Sequence, residues 1–173
     1  MKTVQECKKI IKSYLQKSFE NETYDIDVED LASAISLKIQ TDDFSETTKY
    51  PEGTLGSLHY EKSEGKYICT VKKGITPTKK KFTIAHEIAH YILHRYEIAE
   101  QGIIEDAYLR NPNFDTELEI EANELALDII LPLGFLIPLL KEHTIESLTK
   151  LFNVNKTDII NRLGLTAEFE NSE

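Results

Sequence analysis

Apolar positions recur most densely at helical spacing in FTIAHEIAHYILH, residues 82–94, through Phe82, Ile84, Ala85, Ile88, Ala89, Ile92 and Leu93. Upstream, Val4, Cys7, Ile10, Ile11, Tyr14 and Leu15 follow an i, i+3, i+4, i+7 pattern and predict a first helix over residues 3–19. Asp27 is placed to cap a second helix, with Asp30 as an imperfect box partner and Leu31, Ala34 and Ile35 as its inner face. Residues 36–40 read as a short strand, and the polar stretch 41–53 with its proline as an exposed connection. Alternation at Leu58 and Tyr60, then at Tyr67, Cys69 and Val71, predicts a hairpin of strands 56–61 and 66–73 around a turn at 62–65. Residues 74–81 read as a basic loop. Residues 117–131 form a further helix, and two short helices flank a turn at 153–155 in a helix-turn-helix-like pattern. The fold class is α+β: mostly helical, with a small antiparallel sheet.

Into the apolar pattern of 82–94 the chain sets His86, Glu87 and His90. A buried imidazole or carboxylate needs a partner. Four residues apart, His86 and His90 leave the same side of the helix about one turn apart, which suits two corners of a tetrahedral zinc ion. Glu87 lies about 100° round the helix from His86 and is the general base of the His-Glu-x-x-His arrangement. An ordinary core helix with two hydrogen-bonded histidines would carry the same five residues. His94 continues the spacing, yet its Cα lies about 12 Å from that of His86 on a continuous helix. No glycine turns the chain back, so His94 is read as a C-terminal helix residue meeting the dipole.

A third ligand is expected from ELEIEANELALDIIL. Stepping about 100° per residue puts Glu119 on the face of Ala122, Ala126, Ile129 and Ile130, and Glu121 on the outer face with Glu124 and Asp128. Asn123, four positions after Glu119, can orient a histidine N–H. Zinc is the expected ion, although the ligand types also admit manganese or iron.

Charge adds a bias. The formal net charge is −10, and the excess lies in the second half: residues 95–173 hold 16 acidic and 6 basic side chains against 14 and 14 before them. Such a surface disfavours direct nucleic-acid binding and steers a basic protein towards it, though a solvated acidic face serves solubility equally well. Two cysteines, Cys7 and Cys69, sit in apolar patterns and make no disulfide framework. The apolar run 129–140 is short and interrupted by Pro132 and Pro138, so no membrane span is expected. No leader pattern opens the sequence, and the expected compartment is the cytoplasm.

The succession KFTIAHEIAHYILH, EIEANELALDIILP and LFNVNKTDIINRLG resembles the ImmA/IrrE family of metallo-endopeptidases from about residue 27 to 165. The resemblance implies a zincin-like domain over residues 1–140 and a helix-turn-helix-like segment with an acidic tail over 141–173. It implies metal ligands His86, His90 and Glu119, a catalytic Glu87, and Asn123 as the polar residue behind a ligand. Ala89 and Leu125 depart from the family's usual Gly and Phe. The implied substrate is a DNA-binding repressor of a phage or mobile element. Tyr91, Tyr108 and His143 are candidate oxyanion donors. Two rivals remain open: a metal-binding module that antagonises a repressor without turnover, and a DNA-binding regulator.

Overall fold

The computed structural model describes residues 1–45, 50, 53–101, 103–105 and 116–164. Helix α1 (Val4–Glu20) opens on a capping box in which Thr3 and Glu6 satisfy each other's backbone N–H groups. Asp27 caps α2 (Val28–Ala34) by accepting from the N–H groups of Glu29 and Asp30. Strand β1 (Lys38–Asp42) follows, then β2 (Gly56–Glu61) and β3 (Lys66–Lys72). The expected hairpin forms around the 62–65 turn, where Gly65 adopts φ 62°.

The sheet has the order β1-β3-β2-β4. Antiparallel pairing holds for β2 with β3 and with β4 (Ile103–Glu105), whereas β1 runs parallel to β3, so the sheet is mixed. β2 runs opposite to both β1 and β3, and β3 lies between β1 and β2, so β1 and β3 point the same way. The connection through residues 43–55 is not wholly exposed, since Phe44 and Tyr50 are buried and meet edge to face at 4.6 Å.

Helix α3 (Pro77–Leu93) is longer than the apolar pattern suggested. Thr76 caps it by accepting from the Lys79 N–H, and Pro77 occupies the first turn, where its missing donor is harmless. The basic stretch 77–81 is therefore helix rather than loop. α3 packs most extensively on α5 (Thr116–Ile130) and also meets β2, β3, α1, α2 and α4 (Arg95–Gln101). Ala85, Ala89, Ala122 and Ala126 are fully buried on these two helices, and small side chains permit close approach.

After Pro132 the chain bends by 57° into α6 (Leu133–Leu139). The last helices, α7 (Ile145–Phe152) and α8 (Lys156–Arg162), are joined by Asn153 in the left-handed conformation. Leu148, Phe152, Val154 and Ile159 enter the same core as Ile84 and Ile88. Polar ties reinforce this docking. Lys81, buried on α3, donates to Asp25 at 2.7 Å and to the Phe152 carbonyl, and Thr78 donates to Asn155 at 2.9 Å. Among the described residues, no single helix is long and apolar enough to cross a membrane.

Candidate metal centre

Packing of α5 against α3 brings Glu119 to the two histidines. One ligand atom from each of His86, His90 and Glu119 lies within 4.8 Å of the others. The Nε2 atoms of His86 and His90 are 2.9 Å apart, and each is 3.2 Å from a different oxygen of Glu119. All three side chains are largely withdrawn from solvent, His90 most of all at 2% exposure.

Proton counting on the far side of each ring shows what this cluster needs. Nδ1 of His86 lies 3.0 Å from the Asn123 amide oxygen, which can only accept, so His86 carries its proton on Nδ1. Nδ1 of His90 lies 2.9 Å from Nδ1 of His94, whose Nε2 is 3.3 Å from a Glu121 oxygen. An ionised Glu121 only accepts, so His94 donates through Nε2, accepts through Nδ1 and receives the Nδ1 proton of His90. Both ring Nε2 lone pairs then point inward with the Glu119 carboxylate. Oε1 of Glu119 is buried and makes no hydrogen bond. Converging acceptors without a donor repel one another unless a cation sits between them. Two imidazoles and a carboxylate suit a divalent metal of the zinc type.

Burial works to raise the Glu119 carboxyl; with no cation bound, hydrogen bonds and positive charge from His86 and His90 outweigh it and hold the group far below the usual carboxylate range, the part a metal ion would take over. Burial lowers His90 from its ordinary value near 6.5, against the opposing pull of Glu119. A neutral His90 is the form a metal requires.

Glu87 is buried at 5% exposure on the side of α3 that faces the sheet. Its carboxylate packs on the bare Cα of Gly56 at the start of β2. Cys69, fully buried in β3, has its thiol pushed well above the ordinary value, first by burial and then by the nearby Glu87 charge. It is a neutral core group rather than a nucleophile.

His86, His90 and Glu119 converge, Asn123 stands behind His86, and Glu87 lies one position along α3 against β2. Glu121, expected on the outer face, is exposed over 60% of its side chain and still reaches His94. His94 caps α3 and stays outside the ligand group, but it is buried behind His90. Gly56 and the His94–Glu121 pair escaped the sequence reading; for His94 the repeated four-residue spacing was the available signal. Of the candidate oxyanion donors, Tyr91 is turned into the core against Tyr67 and Arg95, and His143 lies 3.3 Å from Ser147 beyond α6. Tyr108 and the tail 167–173 lie outside the described residues.

The chain belongs to the Peptidase_M78 family, described as the IrrE N-terminal-like domain, which matches residues 48–164. The α+β architecture of that family is the one seen here. Among solved structures, a Mycobacterium tuberculosis transcriptional regulator is similar with a TM-score of 0.51 and 16% sequence identity. The match covers 82% of this chain and 40% of that one, so this chain spans about two fifths of its length. At that identity the likeness is one of fold. No curated protein matches the chain.

Proposed function

We propose that the chain is a zinc-dependent endopeptidase that cleaves a DNA-binding repressor protein in the cytoplasm and so relieves repression. The observation that carries this reading is the convergence of one ligand atom each from His86, His90 and Glu119 within 4.8 Å of one another, in a chain of a peptidase family. A metal held there supplies Lewis acidity for a peptide carbonyl and lowers the pKa of water. The roles of the chain's own groups follow. His86 and His90 bind through Nε2, and Glu119 completes the set with its carboxylate. Asn123 fixes the tautomer and plane of His86. Glu87 takes the proton of the attacking water and returns it to the leaving amine.

A repressor substrate is favoured by the acidic second half of the chain and by the fold it shares with a transcriptional regulator. Direct DNA reading by α8 is disfavoured by the engagement of its two basic residues. Lys156 pairs with Glu146 at 3.5 Å, and Arg162 is held by Asp128 and the Leu131 carbonyl.

The test is terminal mapping by mass spectrometry after incubating the zinc-loaded protein with a proteome-derived library of DNA-binding proteins. New N-termini are expected with the wild type and absent with Glu87→Gln or after chelation. Identical termini from wild type and Glu87→Gln would remove the peptidase reading.

A further inference from the structure

His94 and Glu121 sit outside the ligand set, yet they form an unbroken hydrogen-bonded line into it. The His90 Nδ1 to His94 Nδ1 distance is 2.9 Å, and His94 Nε2 to Glu121 Oε2 is 3.3 Å. His94 is 2% exposed, so no water competes freely for its ring, whereas Glu121 reaches it from the solvent side of α5. The line joins the C-cap of α3 to the first half of α5, the same two helices that supply the three ligands.

We propose that His94 and Glu121 are positioning residues that set the tautomer and ring plane of His90, and thereby the affinity of the site for zinc. This rests on the metal-centre reading above and adds to it a second carboxylate that never touches the ion. The argument is one of donor and acceptor identity. Only a His94 that donates to Glu121 presents an acceptor to His90, and only a His90 that donates through Nδ1 keeps its Nε2 lone pair inward. A histidine ligand is usually oriented directly by a carboxylate or carbonyl. Here a whole imidazole is interposed. His86 has the simpler arrangement, with Asn123 alone behind it.

The two supports therefore differ in what substitution does to them. His94→Phe keeps a flat ring of slightly larger volume and removes the acceptor; His94→Asn keeps an acceptor near the Nδ1 position and loses volume. Packing and hydrogen bonding thus rank the two variants in opposite orders. Zinc affinity is measured by competition with a chromophoric chelator, and cobalt-loaded protein is compared by its visible absorption spectrum. His94→Phe is expected to bind zinc about 10- to 100-fold more weakly and to shift the cobalt bands, since partners behind a ligand carry effects of that size. His94→Asn is expected to recover most of that loss. Glu121→Ala, made on a side chain that is 60% exposed, is expected to weaken binding by about 10-fold, the low end of that range. Wild-type affinity in His94→Phe or Glu121→Ala, or a His94→Asn weaker than His94→Phe, would overturn the inference while leaving the metal centre standing. Failure of the wild type to bind zinc or cobalt would overturn both.

Discussion

The bare Cα of Gly56 faces the carboxylate of Glu87: a Cβ added there would lie 2.6 Å from Oε1 and 2.4 Å from the Thr83 side chain. Both distances are below any real contact, so an alanine must displace one of the two buried side chains. Both side chains stand on α3, and Glu87, with more rotatable bonds than the β-branched Thr83, is the group that moves. Gly56→Ala is expected to cost about 1–3 kcal/mol of stability as an overpacking change. It should lower kcat by about 10- to 100-fold through misplacement of the base, with zinc content unchanged. Steady-state kinetics beside metal analysis check this, and an unaltered kcat would remove Gly56 from any account of the site.

Glu87→Gln separates the base from the ligands. The amide keeps the shape of the side chain and cannot take a proton at neutral pH. Cleavage should fall by about 10²- to 10⁴-fold, the usual contribution of a positioned acid–base group. Stoichiometric zinc should remain. Loss of zinc in this variant would instead place Glu87 in the coordination sphere.

The metal-free protein should become less stable as pH falls below neutral. Burial holds His90 below its ordinary value near 6.5. Between that value and the folded one, the unfolded chain takes up a proton that the folded chain does not, so stability declines with falling pH across that window. Urea unfolding of metal-free protein in steps from pH 8 to pH 5 measures the slope, and His90→Asn should flatten it. A wild-type stability that rises on acidification through this range would contradict the buried, neutral His90.

Lys81 anchors the C-terminal helices to α3 through Asp25 and the Phe152 carbonyl. Burial lowers its pKa, with Asp25 opposing. Lys81→Met keeps the apolar stem but leaves the carbonyl without its donor, an expected loss of about 1–2 kcal/mol. The urea midpoint reports it. A midpoint equal to or above the wild type would show that the buried ammonium contributes nothing.

Much of this centre was legible because its chemistry interrupts a strong pattern. His86, Glu87 and His90 stand out on an apolar helix, and Glu119 shares an angular sector with Ala122 and Ala126 that only packing against a partner explains. The start of α3 was missed because apolar periodicity begins only at Phe82, although Thr76–Pro77 is a cap followed by a first-turn proline. Short elements fared worse. α4 has seven residues and β4 three, too few for a period to emerge, and β4 exists because β2 pairs with it. That pairing also covers the β2 edge, so among the described residues the sheet ends at β1 and β4. The burial of Phe44 and Tyr50 in a polar stretch depends on contacts remote in sequence. Glu121 was placed on the outer face by angle alone, because a helical wheel records neither side-chain reach nor a neighbouring helix end.

The convergence of two helices on one cation is tested most directly by zinc stoichiometry and affinity in the wild type and in Glu119→Ala. The wild type should hold about one zinc per chain, as a three-ligand site with an open position does. Glu119→Ala should bind more than about a hundredfold more weakly, given that second partners alone are worth 10- to 100-fold. Stoichiometric zinc at wild-type affinity in Glu119→Ala would contradict the ligand set and the hydrolytic role built on it.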